Sequence, residues 1–168
     1  LTLLQYNNRS DINIMDGMFE TSEKKIYSLY KLFKHIDKVG KDYKPNKESN
    51  YYTEMKDKFI ESMNNDFNTS LAISYAFDYI TKLSQMADNK NQIQDMVDIK
   101  YALIDIYKVL ELFQKDIDST LNNIRNKYMK INSITEEEVL KLIEQRKQYK
   151  ENKDYQSADE IRNKLTDN

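Results

Sequence analysis

The sequence predicts an all-α protein, a helical bundle followed by a small C-terminal helical hairpin. Two observations carry that expectation. Apolar residues recur at intervals of three and four through most of the chain, the period of a helix with one buried face. Turn-forming residues are scarce, with 2 glycines and 1 proline in 168 residues, whereas sheet-rich folds need such residues at hairpin after hairpin.

The elements follow in order from the same pattern. Phe19, Ile26, Leu29, Phe33 and Ile36 lie seven, three, four and three residues apart, which predicts a first helix over about 16–38. Gly40 is expected to close it as a residue tolerant of left-handed geometry. The polar stretch 41–50 holds Pro45 and reads as a loop. Tyr52, Met55, Phe59 and Met63 form the stripe of a second helix over about 50–64. Asn68 or Thr69 supplies the N-cap of a third helix over about 69–87, whose stripe is Ile73, Ala76, Phe77, Ile80 and Leu83. Ile99, Leu103, Ile106, Leu110 and Phe113 predict a fourth helix over about 92–115. Four amphipathic helices of this kind close a bundle around one core, placed here at 16–115 with residues 1–15 as a preceding linker.

The pattern weakens over 116–134, where Leu121, Ile124 and Tyr128 suggest a partly helical connector. Thr135 and Glu138 then have the spacing of a capping box, which opens a helix to about residue 152 with Val139, Leu142, Ile143 and Tyr149 inward. Asp154 caps a last helix in which Tyr155, Ala158, Ile161 and Leu165 share a face. Residues 135–168 therefore form a helical hairpin turning at 152–154.

Composition removes several function classes. The formal charge is −2, from 26 basic and 28 acidic side chains. That balance argues against affinity based on wholesale phosphate neutralisation but leaves room for a directed RNA contact. There are no cysteines, so disulfides, thiolate catalysis and cysteine zinc sites are excluded within the chain; the absence fits a cytoplasmic protein. No apolar run approaches the roughly 18 residues of a membrane span, and no signal-peptide pattern is present. The chain begins at Leu1 rather than methionine, as expected of a segment of a longer protein.

No phosphate loop, dinucleotide glycine pattern or nucleophile elbow occurs. His35 is the single histidine and reads as a solvated or partly packed residue. Glu136, Glu137 and Glu138 start a helix, where they complement the macrodipole. Met15, Met18, Met55 and Met63 read as core fillers. Of the 13 tyrosines, Tyr27, Tyr30, Tyr75, Tyr79, Tyr101 and Tyr107 fall within amphipathic helices and are assigned to packing. Tyr149 and Tyr155 flank the hairpin turn, where packing and base stacking are both open.

Five blocks, in order, resemble the C-terminal half of cysteinyl-tRNA synthetases. Asn8-Arg9-Ser10 with Ile12-Asn13-Ile14 is similar to the family's Tyr-Arg-Ser-Pro-Leu-Asn-Phe, without the proline. Ser28-Leu29-Tyr30 is similar to Arg-Leu-Tyr. Met63-Asn64-Asn65-Asp66-Phe67-Asn68-Thr69 resembles Met-Asp-Asp-Asp-Phe-Asn-Thr, with asparagine in place of two acids. Val109-Leu110-Glu111-Leu112-Phe113-Gln114 resembles Val-Leu-Gly-Leu-Leu-Gln. Leu142-Ile143 through Arg146, and Lys150 through Lys153-Asp154-Tyr155, Ala158-Asp159 and Ile161-Arg162, resemble Leu-Ile-x-x-Arg and Arg-x-x-Lys-Asp-Phe-x-x-Ala-Asp-x-Ile-Arg.

The resemblance implies a bundle of the class I synthetase anticodon-binding type and a truncated anticodon-recognition hairpin. It implies cysteine-specific tRNA as partner, together with the catalytic domain of the same parent chain, which residues 1–15 would leave. It points to Lys150, Asp159 and Arg162, and less directly Arg146, as tRNA-binding residues. A carboxylate accepts from the exocyclic amine of cytosine, and arginine donates in a fork to guanine or phosphate. Lys150 stands where the family commonly has arginine, and lysine cannot make that planar fork. From spacing alone, Asp159 and Arg162 would instead pair with each other or with neighbouring lysines. The family's ATP-binding signatures and zinc ligands lie outside this chain, so no cofactor or metal and no catalytic residue is expected within it, and the segment is expected to be inactive alone. The alternative from another class is a helical scaffold for protein partners with no nucleic-acid role.

Overall fold

The computed structural model describes residues 17–166; the linker expected over 1–15, with Met15 and the Asn8-Arg9-Ser10 block, lies outside the described residues. Among the described residues every regular element is helical: α1 (Met18–Val39), α2 (Asn50–Asn64), α3 (Thr69–Met86), α4 (Ile93–Tyr107), α5 (Ile117–Ile131), α6 (Glu136–Glu151) and α7 (Tyr155–Thr166). The chain divides into two compact units, with the boundary inside α5 between Leu121 and Asn122.

The first unit is built from α1 to α4. Leu29, Phe33 and Ile36 of α1, Met55 of α2, Ile73 and Leu83 of α3, and Ile99 and Leu103 of α4 meet in one core. Ser49 caps α2 by accepting from the Tyr52 N–H at 3.2 Å, and Asn68, rather than Thr69, caps α3 by accepting from the Leu71 N–H at 3.0 Å. The turn between these helices places Asp66 and Phe67 at φ 55° and 51°. Tyr107, buried, donates its hydroxyl to the Ala72 carbonyl at 2.8 Å and so ties α4 to α3. Burial pushes its phenol up from the ordinary value.

Two expectations are corrected in this unit. Gly40 does not adopt left-handed geometry: its φ is −95°. Glycine is needed there because a Cβ would lie 2.5 Å from Val97 Cγ2 of α4 and 2.8 Å from the Ile36 carbonyl oxygen. The fourth helix stops at Tyr107, eight residues before the expected end at 115. A 3-10 turn over Lys108–Leu110 follows, and Glu111 and Phe113 take φ 54° and 62°. Phe113 still reaches the core, with its ring 6.3 Å from Phe33 and 6.1 Å from Tyr107.

The loop between α1 and α2 is fastened to α4. Asp98 accepts from the Asn46 N–H at 2.8 Å, and Gln94 Nε2 donates to the Lys44 carbonyl at 2.9 Å. Asp105 accepts from Lys108 at 2.8 Å, from the Tyr52 hydroxyl at 2.7 Å and from Lys47 at 3.2 Å. These donors, Lys108 first, hold its carboxyl well below the usual carboxylate range. The buried Lys100 ammonium reaches back to α1, donating to Asp37.

The second unit, from Asn122, comprises the rest of α5, α6 and α7. Ile124 and Tyr128 are half-buried on α5. The capping box of α6 is complete: Thr135 Oγ1 accepts from the Glu138 N–H at 3.2 Å, while Glu138 Oε2 accepts from the Thr135 N–H at 2.7 Å. Val139, Leu142, Ile161 and Leu165 are half-buried and Ala158 is buried. Ile143 and Tyr149, expected inward, are instead 50 % and 38 % exposed, and Tyr155, expected to share a face with Ala158, is 63 % exposed. Two packed helices shelter a single narrow stripe, and these three side chains fall outside it.

Candidate nucleic-acid interface

The hairpin turn fixes the ends of α6 and α7. The Asn152 N–H donates to the Gln148 carbonyl at 3.0 Å, and the Asp154 N–H reaches back five residues to the Tyr149 carbonyl at 2.8 Å. Lys153 between them takes φ 60°. This is a Schellman closure with lysine where glycine is usual. Asp154 then caps α7: Ser157 donates its N–H to Oδ1 at 3.1 Å and its hydroxyl to Oδ2 at 2.7 Å. These two bonds, the hydroxyl's first, hold the Asp154 carboxyl below its ordinary value.

Lys150, on the last turn of α6, is exposed. Arg146 is one turn earlier on the same side and half-buried, and its Nε is enclosed without a hydrogen bond to the described residues. On α7, Asp159 and Arg162 are joined by an ion pair, Nη1 to Oδ1 at 3.1 Å, with both side chains about half exposed. The surface pairing expected from their spacing is therefore present. Tyr155, Asp159 and Arg162 follow one another at intervals of four and three, so they share one flank of the helix. The flank thus offers a flat ring, an acceptor and a forked donor in succession. Tyr155, for which the sequence leaves packing and base stacking both open, is on the surface. Among the described residues no group of three or more His, Asp or Glu is placed to hold a metal ion, and no helix is long and apolar enough to cross a membrane.

Comparison with known proteins decides the family. The DALR domain family matches residues 58–114, from inside α2 to the turn after α4. The cysteine–tRNA ligase of Finegoldia magna is 29% identical over 167 residues, covering 98% of this chain and 33% of the relative. That of Thermodesulfovibrio yellowstonii is 30% identical over 176 residues, covering 98% of this chain and 36% of the relative. That of Prochlorococcus marinus is 34% identical over 141 residues, covering 80% and 28%. The chain belongs to the cysteine–tRNA ligase family. It spans about a third of the length of the curated relatives it matches. In family terms, the DALR match covers α3 and α4 and most of the packed core, while the hairpin lies beyond it.

Proposed function

We propose that this chain is the tRNA-recognition region of a cysteine–tRNA ligase, and that its α6–α7 hairpin reads the anticodon. The observation that carries the reading is similarity to cysteine–tRNA ligases along 98% of the chain, together with the exposed flank of Tyr155, Asp159 and Arg162. Asp159 accepts from an exocyclic base amine, and Arg162 donates in a bidentate fork to a guanine edge or a phosphate. Their mutual ion pair keeps the two groups aligned before RNA arrives. Lys150 supplies a point charge to the backbone rather than a fork. Arg146 supports the same side from half-buried depth. Tyr155 offers a face on which an unstacked anticodon base can lie.

The parent enzyme joins cysteine to its tRNA at the expense of ATP in the cytoplasm, and its catalytic domain, with ATP and zinc, is the remaining partner of this region. The described residues do not fit a zinc ion: the chain has no cysteine, and no metal-binding group of side chains is assembled among them. No step is assigned to zinc or ATP within this chain, which is expected to be inactive on its own.

Filter binding of cysteine tRNA and of an anticodon-substituted tRNA tests the reading. Asp159→Ala and Arg162→Ala are expected to narrow the discrimination between the two RNAs by about 5- to 150-fold, the equivalent of about 1–3 kcal/mol for each base interaction removed. Lys150→Ala is expected to weaken both RNAs alike. Unchanged discrimination in both α7 variants would remove the hairpin from anticodon reading and favour a scaffold without a nucleic-acid role.

A further inference from the structure

The near-neutral total charge conceals a strongly basic stretch. Residues 24–47 contain eight lysines and two aspartates, a formal charge of +6 in a chain whose sum is −2. Helical geometry concentrates it. Lys24, Lys31 and Lys38 are spaced by seven along α1, all exposed, with exposed Lys34 on the same side. At 1.5 Å per residue the row is about 21 Å long. Lys41 and Lys44 continue it into the loop, where both are exposed.

Acids offset this row only in part. Asp37 is engaged by the buried Lys100, so one of the two aspartates in the stretch already serves another cation. Elsewhere in the unit, lysines meet carboxylates: Lys58 with Glu54 at 2.7 Å and Lys108 with Asp105 at 2.8 Å; within the stretch, Lys47 meets Asp105 at 3.2 Å. On α1, Lys34 pairs with Asp118 at 2.5 Å, but the ammonium groups of Lys24, Lys38, Lys41 and Lys44 make no ion pair among the described residues. Lys31 lies over the Tyr27 ring at 5.9 Å, and Tyr43 in the loop is 42 % exposed. The backbone under the row is fixed, since the loop is bonded to Asp98 and Gln94 of α4 and Gly40 packs on Val97. Little ordering of the backbone would therefore be needed on binding.

A long row of cations, most of them without a carboxylate partner, on a fixed backbone fits a polyanion with closely repeated charge. The row is all lysine, a compact point charge on a flexible stem, which satisfies phosphates but does not discriminate base edges. We infer that the outer face of α1 and its continuation to Lys44 form a second RNA surface that grips the sugar–phosphate backbone without reading sequence. The inference rests on the proposal that this chain binds tRNA, and it assigns to the bundle a task distinct from that of the hairpin.

The test is the salt dependence of tRNA binding by the whole chain. In Lys24→Gln/Lys31→Gln/Lys38→Gln, the slope of log affinity against log salt is expected to become shallower by about 2 to 3, near one unit for each phosphate that is no longer neutralised. Cysteine tRNA and the anticodon-substituted tRNA should lose affinity equally. The triple Lys→Arg variant at the same positions should keep the wild-type slope, and both variants should keep the wild-type circular dichroism, since all three side chains are exposed. An unchanged slope in the Gln variant overturns the inference, as does a loss confined to one of the two RNAs. Sedimentation with phosphatidylserine vesicles separates the other anionic surface: vesicle binding lost with RNA binding intact would assign the face to a membrane and overturn the inference. If the α7 variants leave discrimination untouched while the Gln variant flattens the slope, the anticodon reading falls and this surface stands. If the wild-type chain binds no RNA in low salt, both fall.

Discussion

In the bundle unit Phe33, Ile73, Leu83, Ile99 and Leu103 are all at most 1 % exposed, whereas in the hairpin unit Ala158 is the one side chain among the described residues that is buried to a comparable degree. The two regions are consequently stabilised by different means. Packing defines the bundle. The hairpin takes its shape from short-range polar contacts at helix ends: the Thr135–Glu138 box, the closure at Lys153 and the Asp154 cap. A region fixed by its own helix ends leaves its long side chains available, and Tyr155, Asp159, Arg162 and Lys150 are all on its surface. The bundle, in contrast, uses its interior for stability and has one outer face, that of α1, on which charge is collected instead of neutralised.

Truncating one leucine in each region gives the largest difference. Leu103→Ala removes a fully buried side chain and is expected to cost about 3–5 kcal/mol, cavity included. Leu142→Ala removes a half-buried one in the hairpin and should cost about 1 kcal/mol. Urea unfolding followed by circular dichroism would show it. Equal losses would mean that the hairpin has a core of its own, and the contrast between packing and capping would disappear.

A smaller effect sharpens the packing side. Gly40→Ala inserts a methyl 2.5 Å from Val97 Cγ2 and is expected to destabilise the bundle by about 1–3 kcal/mol. Val97→Ala in the same background should recover part of that loss, because the two positions meet directly. Strict additivity in the double variant would show that the backbone at Gly40, not its approach to α4, sets the requirement.

On the capping side the lever is acid. The Thr135 N–H and hydroxyl hold Glu138 below its ordinary value, and Ser157 does the same for Asp154. A carboxyl depressed in the folded state stabilises it above the unfolded value, near pH 4, and the contribution is lost as pH falls through the folded value. Below about pH 4, the exchange protection of α6 and α7, taken against the intrinsic rate at each pH, should fall while α3 and α4 stay protected by their core. Asp105 gives up its ion pairs at lower pH still, since its carboxyl is held further down, and the packing beneath it does not titrate. Loss of α3 protection first would reverse the comparison.

These contrasts also explain what the sequence made legible. The stripe Tyr52, Met55, Phe59, Met63 marks α2, and the motifs at Thr135 and Asp154 mark real caps, because each depends on residues close in the chain. The end of α4 was hidden because Leu110 and Phe113 continue the three–four spacing after the helix has stopped, and Phe113 enters the core from a turn. Periodicity reports burial, and burial outlasts the helix there. Ile143 and Tyr149 misled for the opposite reason: they are apolar or aromatic at inward spacing in a unit too thin to cover them. For the candidate site, Lys150, Asp159 and Arg162 came from resemblance to a family, while spacing alone gave the Asp159–Arg162 ion pair. The lysine row was masked by a net charge that averages over the whole chain.

The smallest effect concerns how helices end in a chain with 2 glycines. Glu111, Ser133 and Lys153 each follow or close a helical turn at positive φ, at 54°, 51° and 60°. At each, the next residue's N–H reaches back five positions: Leu112 to Tyr107, Ile134 to Met129 and Asp154 to Tyr149. A side-chain-bearing residue in this conformation costs about 1–2 kcal/mol, and glycine would relieve that strain while adding about 0.5–1 kcal/mol of unfolded-state freedom. Glu111→Gly, the residue that the resembling family has at that position, should therefore stabilise the bundle by about 0.5–1 kcal/mol. Lys153→Gly should bring a similar gain to the hairpin, but at a position beside the proposed RNA contact. If the Lys153 variant gains stability and loses tRNA affinity, the ammonium at the turn belongs to the interface. If it gains stability and keeps affinity, the turn is purely architectural, and recognition begins at Lys150 and Tyr155 on either side of it.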